Sequence, residues 1–129
     1  MIEEPSIATL LRLYAGTILK NRPGRLVELL KRQRVFSTSW PVPSVPLNSS
    51  QFSPYKYWQG PTWINTNWLI IDGLSRNGYE AEAKVLRERT IQLVDKSGLY
   101  EYFNPLNGKP AGAANFSWTA ALTIDLLKH

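Results

Sequence analysis

The segment from Pro61 to about Asn77 constrains the fold most, because a helix formed there is apolar around most of its circumference. Its sequence is PTWINTNWLIIDGLSRN, in which the leading proline suits a first helical turn and Gly78 follows as a stop signal. A helix that is apolar nearly all round is buried on both sides. We therefore expect neighbouring helices on two of its faces. One of these neighbouring helices should approach closely at Gly73.

Four further segments show the spacing of apolar residues that is typical of helices, and they cover residues of about 5–20, 24–34, 80–96 and 118–128. In the third of these segments the apolar residues form a single stripe, made of Ala83, Leu86, Thr90 and Leu93. The helix predicted over about 80–96 is expected to be covered on one side only, and so is the helix predicted over about 24–34. The first and last helices are apolar on two sides.

Burial on two sides and on one side thus alternates along the chain, which is the pattern of a layered helical ring. Two long segments without helical periodicity, about 35–60 and 98–116, each lead from an outer helix to the next inner helix. In an up-and-down ring such connections lie at the same end, so we expect them to share one face and one cleft. The expected fold is a single all-α domain over residues 1–129, with about five helices.

Composition excludes several kinds of active site. The chain contains no cysteine, which rules out disulfide scaffolds, thiol nucleophiles and cysteine-zinc sites and suits a reducing compartment such as the cytoplasm. The only histidine is His129, the last residue, so a Ser-His-Asp triad has no plausible histidine. We expect no metal and no cofactor. Nucleic acid is not expected as a partner, since a solvated helix face explains the basic residues near 25–34. No apolar run is long enough to suggest a membrane span.

Glu101 stands out among the ten carboxylates because it lies in an irregular, aromatic-rich segment, next to Tyr100, Tyr102 and Phe103. Such surroundings desolvate a carboxylate and tune its basicity, which suits a general base. The alternative is an ordinary surface glutamate in a loop. Glycoside hydrolysis normally uses two carboxylates, and the sequence offers no credible second candidate.

The stretch YWQGPTW, residues 57–63, places two indoles five positions apart around a Gly-Pro turn. Indole faces can stack on the flat C–H faces of sugar rings, and nearby amides such as Asn65 can bond hydroxyl groups. The alternative is a core aromatic cluster that fixes a loop to a helix. Trp118 and Phe116, near the last helix, allow the same two interpretations.

Three motifs, in this order, resemble the C-terminal part of glycoside hydrolase family 63 and look closest to its mannosylglycerate and glucosylglycerate hydrolase branch. They are YWxGPxWINxNW at 57–68, EYFNPLxG at 101–108 and NFSWTAA at 115–121. The resemblance covers nearly the whole chain and includes the segment PVPSV at 41–45. It implies an (α/α)6 toroid, a six-hairpin glycosidase fold of which this chain forms a helical-hairpin segment. It also implies hydrolysis of α-glucosides or α-mannosides with inversion.

The resemblance further implies roles for individual residues. Glu101 matches the general base, which in inverting enzymes stands roughly 6.5–9.5 Å from the acid. The substrate would be a small carbohydrate such as glucosylglycerate or mannosylglycerate. The residues that match substrate-binding positions are Tyr57, Trp58, Gly60, Trp63, Asn67, Tyr102 and Trp118.

The general acid of that family is an aspartate upstream of everything in this chain. We therefore expect the chain alone to be inactive and to need the missing N-terminal part of the barrel, or to self-associate through its open helices. A function of a different class stays open as well. The chain could be a non-catalytic sugar-binding module or a structural remnant, and neither function needs an acid.

Overall fold

The computed structural model describes residues 5–15 and 23–128. The secondary structure of these residues consists, in chain order, of α1 (Ile7–Leu10), α2 (Arg12–Ala15), α3 (Pro23–Lys31), α4 (Ile64–Arg76), α5 (Glu80–Ser97), β1 (Tyr100–Phe103), β2 (Pro110–Ala114) and α6 (Ser117–Leu127). The mainly helical prediction is confirmed. The structure differs from the all-α prediction in one feature, because β1 and β2 pair as a small antiparallel hairpin. In these two described ranges, no helix combines the length and apolar character needed to cross a membrane.

Helix α4 lies at the centre of the helical layer, which we define as α2, α4, α5 and α6. It packs against the other three helices, as its all-round apolar sequence predicts. Ile70 and Leu74 have no exposed surface. A Cβ atom at Gly73 would lie 2.6 Å from the backbone carbonyl carbon of Leu13 in α2, so the close approach predicted at this glycine is confirmed.

Helix α5 buries one stripe, as predicted. All four residues of that stripe, Ala83, Leu86, Thr90 and Leu93, are buried, with exposed fractions of 5% or less. The helix ends at Gly98, whose φ of 94° is a conformation that side-chain-bearing residues rarely adopt. Glycine at this position therefore lets the chain turn directly into β1.

Helix α6 is covered on one side only, whereas burial on both sides was expected. Its buried residues are Thr119, Thr123 and Leu126. Trp118, Ile124 and Leu127 point away from them, with 57–63% of their surface exposed. The described part of the chain leaves this apolar face uncovered.

Helix boundaries differ from the predictions where other contacts take precedence. The helix predicted over 5–20 appears as α1 and α2, and residues 16–20 lie outside the described residues. Helix α4 begins at Ile64 instead of Pro61, because Thr62 pairs with strand β1 instead of joining the helix. The Thr62 N–H donates to the Phe103 carbonyl at 2.8 Å, and the Phe103 N–H donates back at 2.9 Å.

The irregular segment 35–60 is fixed to the helices by polar bonds. Asn67 of α4 is fully buried, and its Oδ1 accepts from the Val42 N–H at 3.1 Å. Its Nδ2 donates to the Pro41 carbonyl at 2.8 Å and to the Thr90 hydroxyl of α5 at 3.0 Å. One amide therefore joins the segment to two helices and satisfies buried groups that would be costly to leave unpaired.

The two irregular segments are in contact, as the order of connections predicts. The backbone N–H of Trp40 donates to the Pro105 carbonyl at 3.0 Å. A second contact joins Tyr57 to Glu101, 44 positions apart in the sequence. Residues that are far apart along the chain are therefore in contact here.

Candidate functional site

Glu101 lies in the middle of β1, and its carboxylate is held at both oxygens. The Tyr57 hydroxyl donates to Oε1 at 3.1 Å, and the Ala113 backbone N–H donates to Oε2 at 3.1 Å. The residue is half-buried. A carboxylate with one donor on each oxygen has a defined orientation and keeps acceptor positions for further partners.

Four aromatic residues beside this carboxylate form one cluster, which we call the aromatic face: Tyr57, Trp58, Trp63 and Tyr102. Trp63 is 2% exposed and forms its floor. The Trp58 indole stacks on Trp63 with ring centroids 4.1 Å apart and planes 10° from parallel. Trp58 is itself 42% exposed, so its second face is open to solvent.

The two tyrosines border this stacked pair. Tyr57 meets Trp63 edge-on with ring centroids 4.8 Å apart, and it meets Tyr102 edge-on at 5.7 Å. Tyr102 lies 5.1 Å from Trp63. Offset and edge-on contacts of this kind are favourable geometries for aromatic rings. The cluster therefore joins the turn before α4 to strand β1.

A tight turn places Tyr57 at this position. Its φ of 40° lies in the left-handed region, which is uncommon for a residue that is not glycine. The Tyr57 carbonyl accepts a hydrogen bond from the Trp63 indole N–H at 2.9 Å, which holds the turn against α4. Backbone strain of this kind is often found at binding and active sites.

Gly60 closes the same turn. A Cβ atom here would lie 2.0 Å from the Ser53 carbonyl oxygen, so no other residue fits. The Gly60 N–H donates to the Ser44 hydroxyl at 2.9 Å. Gly60 is buried and acts on the site through backbone geometry, since it brings Tyr57 and Trp58 back over Trp63.

The electrostatics of the site follow from the Tyr57–Glu101 contact. The hydrogen bond to Glu101 raises the pKa of Tyr57 above its ordinary value of 10.0, and desolvation and the negative charge of Glu101 act in the same direction. Each of these effects favours the neutral phenol over phenolate. Tyr57 is therefore protonated at neutral pH and available as a donor to the carboxylate.

The structure thus brings together five of the residues singled out from the sequence: Tyr57, Trp58, Trp63, Glu101 and Tyr102. Two other residues that were predicted to bind substrate, Gly60 and Asn67, support the site from the protein interior. Gly60 and Asn67 are buried, and the Asn67 amide is occupied by the protein's own groups, so it positions the loop instead of facing a ligand.

Trp118 lies at the start of α6, where its ring meets Phe116 edge-on at 5.8 Å. The neighbouring Thr119 hydroxyl donates to the Tyr100 carbonyl at 2.7 Å, so this end of α6 is attached to β1. Trp118 is more exposed than the aromatic face itself. It stays a candidate for binding at the edge of the site.

Sequence reasoning missed Gly112 and Ala113, which both adjoin the Glu101 carboxylate. The only available signal was a glycine between alanines in the stretch PAGAA. For a metal, we find no group of three or more acidic, histidine or cysteine side chains within residues 5–15 and 23–128. The site is therefore one of carboxylate, phenol, indole and amide groups.

Comparison with known proteins relates most of this chain to one family. Residues 1–119 match the family described as mannosylglycerate hydrolase MGH1-like glycoside hydrolase domain. The mannosylglycerate hydrolase of Rubrobacter radiotolerans is 46% identical over 90 residues, which cover 70% of this chain and 20% of that protein. The mannosylglycerate hydrolase of Thermus thermophilus is 37% identical over 117 residues, which cover 91% of this chain and 28% of that protein.

Solved structures show the same similarity. Crystal structures of GH63 mannosylglycerate hydrolase from another strain of Thermus thermophilus, one with glucose and one with Tris and D-glycerate, match 99% of this chain with a TM-score of 0.90 at 34% identity. This chain covers 32% and 30% of those chains, so it spans less than a third of their length. The chain belongs to the MGH1-like family of glycoside hydrolases.

Proposed function

We propose that this chain is the C-terminal segment of an inverting α-glycosidase, with glucosylglycerate or mannosylglycerate as substrate class. It would supply the general base and part of the sugar-binding surface. The observation that carries the proposal is the Glu101 carboxylate, which is held at both oxygens beside a solvent-exposed indole. Membership of a glycoside hydrolase family supports this interpretation of a carboxylate beside an exposed indole.

Glu101 acts in this proposal as the base for an attacking water. It accepts one proton from the water as the water oxygen bonds to the anomeric carbon, on the face opposite the leaving group. The glycosidic C–O bond breaks, and the leaving oxygen takes a proton from a separate acid. The configuration at the anomeric carbon is thereby inverted.

The aromatic face holds the sugar in this proposal. One face of Trp58 rests on Trp63, and its other face is available for the C–H surface of a pyranose ring. Because Tyr57 contacts both Trp58 and Glu101, a sugar stacked there would lie next to the base. Trp118 would border the same surface from α6.

The general acid must come from elsewhere, because the two segments that form the site, 35–60 and 98–116, contain no acidic residue besides Glu101. We propose that it belongs to the additional length by which the relatives exceed this chain. That additional part would also complete the (α/α)6 toroid and cover the open face of α6. Self-association is the alternative way to cover that face.

The first test is an assay of the 129-residue chain alone on mannosylglycerate, glucosylglycerate and aryl α-glucosides. We expect no turnover, because nothing protonates the leaving oxygen. Turnover by the isolated chain that is lost in Glu101→Gln would contradict the need for an external acid.

The second test restores the missing part. In a chimera, this chain replaces the segment that it matches in the Thermus thermophilus mannosylglycerate hydrolase. We expect hydrolysis, with the β-anomer as the first product seen by NMR. Glu101→Gln should lower kcat by roughly 10²- to 10⁴-fold, which is typical of a lost acid–base group.

The matched control in the chimera is Glu88→Gln, a change of the same chemistry at an exposed residue of α5. It should leave kcat unchanged. If Glu101→Gln behaves like this control in an active chimera, Glu101 is not the base.

A sugar-binding module without catalysis is the second candidate, favoured by the open face of Trp58. Titration calorimetry of the isolated chain with small glycosides separates the two functions when it is combined with the chimera. Binding that is lost in Trp58→Ala, together with a folded but inactive chimera, would support the binding module over the hydrolase.

A further inference from the structure

Strand β2 carries one residue more than β1 at the position of Glu101. Tyr100 pairs with Ala114, and Tyr102 pairs with Ala111. Between these pairs, β1 has only Glu101, whereas β2 has both Gly112 and Ala113. This is a β-bulge, a feature that bends a strand and changes the direction in which neighbouring groups point.

Gly112 is required in this bulge for two separate reasons. Its φ of 74° lies in the left-handed region, where a side chain is strained. In addition, a Cβ atom would lie 2.7 Å from Oε2 and 2.8 Å from the Cβ of Glu101, and 2.8 Å from the Tyr102 ring. A side chain at Gly112 would therefore require Glu101, Tyr102 or the backbone of the bulge to move.

The bulge also supplies a donor. The Ala113 N–H, which lies opposite Glu101, donates to Glu101 Oε2 at 3.1 Å. The Tyr57 hydroxyl occupies the other oxygen, Oε1, at the same distance. Since the two donors come from different segments and hold different oxygens, they fix the rotation of the carboxylate about its last side-chain bond.

We infer that the bulge at Gly112 and Ala113 is a positioning element for Glu101, which holds the carboxylate in one orientation against Tyr57. The inference rests on the proposed function, because orientation matters most for a group that activates water. A displacement of about 1 Å in an active site can cost roughly 10²-fold in rate. Gly112 and Ala113 act through Glu101 and are not themselves catalytic residues.

A purely structural role is the competing explanation, since bulges also twist and terminate hairpins. Under that explanation, a side chain at Gly112 would lower stability and leave the Glu101–Tyr57 contact intact. The positioning role predicts that the contact itself is lost. The ionisation of Tyr57 reports this contact, because the hydrogen bond from Tyr57 to Glu101 is the largest cause of its raised pKa.

The experiment compares Gly112→Ala with Gly78→Ala in the 129-residue chain. Both glycines have left-handed backbone, with φ of 74° and 87°, but a Cβ at Gly78 meets nothing within 4 Å. The two variants thus share the conformational cost, and only the first disturbs Glu101. We expect the Tyr57 pKa, followed by NMR with 13C-labelled tyrosine, to fall toward the ordinary value in Gly112→Ala and to be unchanged in Gly78→Ala.

Glu101→Gln sets the scale of that shift, since it removes the acceptor charge. A folded Gly112→Ala variant in which Tyr57 keeps its wild-type pKa would overturn the positioning role. If Gly112→Ala does not fold, a gentler change is Ala113→lactic acid, which turns the N–H donor into an ester oxygen at nearly constant volume. The same fall in the Tyr57 pKa is expected, and its absence would again overturn the proposal.

Kinetics in the chimera add a readout that a structural role would not move. Gly112→Ala should lower kcat by roughly 10- to 100-fold, because the base is misplaced. If Glu101→Gln leaves an active chimera unaffected, the proposed function fails, whatever Tyr57 reports. If Glu101→Gln abolishes activity but Gly112→Ala retains wild-type kcat, only the positioning role fails.

Discussion

Leu74 in the helical layer and Trp58 in the aromatic face show two ways in which this chain uses apolar side chains. Leu74 has no exposed surface and contributes through burial and packing. Trp58 is larger, but 42% of its surface remains in contact with water. Stability explains the first residue and leaves the second largely unexplained. Apolar surface that a fold keeps accessible points to a ligand or a partner.

The helical layer should therefore give the largest stability change. Leu74→Ala removes fully buried methyl groups from the hydrophobic core, and we expect it to lower the free energy of unfolding by about 2–5 kcal/mol. Guanidinium denaturation measures this directly. Val85→Ala, at an exposed position of α5, is the control and should change the free energy by no more than about 0.5 kcal/mol. Equal effects at the two positions would contradict the assignment of Leu74 to the core.

The aromatic face should respond more weakly. Trp58→Ala removes one stacked contact and a half-exposed ring, and we expect a loss of about 0.5–1.5 kcal/mol in the same measurement. Trp58→Phe, which retains a ring over Trp63, should lose less. If Trp58→Ala costs as much as Leu74→Ala, the ring is a structural residue and the contrast between the two regions disappears.

The smallest effect concerns pH. Because the pKa of Tyr57 is raised in the folded state, unfolded tyrosine releases its proton first as the pH increases. The contribution of Tyr57 to stability is complete below its unfolded pKa of about 10 and is lost as the pH rises through the folded value. Denaturation between about pH 8 and pH 11 should show this decline, and Tyr57→Phe should reduce it.

Glu101→Gln provides the matching change on the acceptor side. It removes the charge and weakens the bond that raise the Tyr57 pKa, so it should reduce the same decline. A wild-type pH dependence in both variants would show that the Tyr57–Glu101 contact does not form in solution.

Residue spacing was sufficient to predict the parts that depend on burial. The stripe on α5 and the close approach at Gly73 follow from helical geometry alone, and both are confirmed. The meeting of the two irregular segments followed from the order of inner and outer helices. These features need no knowledge of which backbone groups pair over long distances.

The hairpin was missed for a physical reason. Strand β2 reads PAGAA and contains none of the β-branched or aromatic residues that favour strands, so only its pairing with β1 makes it a strand. The same pairing tendency holds Thr62 extended and delays the start of α4. The roles of Gly112 and Ala113 depend on a register that no local pattern encodes.

Two further differences have separate causes. Asn67, expected from the family resemblance to bind substrate, uses its amide to bond Pro41, Val42 and Thr90, which a sequence motif cannot distinguish from ligand contacts. The apolar sequence of α6 predicts cover on two sides, but the described residues cover only one side of the helix. In both cases, the residue type indicates that a partner is needed, and the sequence does not show which group supplies it.

The parallel indoles of Trp58 and Trp63 also make the molecule its own optical probe. The emission of an indole moves to shorter wavelengths when water leaves its surroundings, and in this pair only the outer ring can lose water, because the inner ring is already almost fully covered. Binding of a sugar to Trp58 would therefore be detected as a blue shift in intrinsic fluorescence, without a label and without turnover.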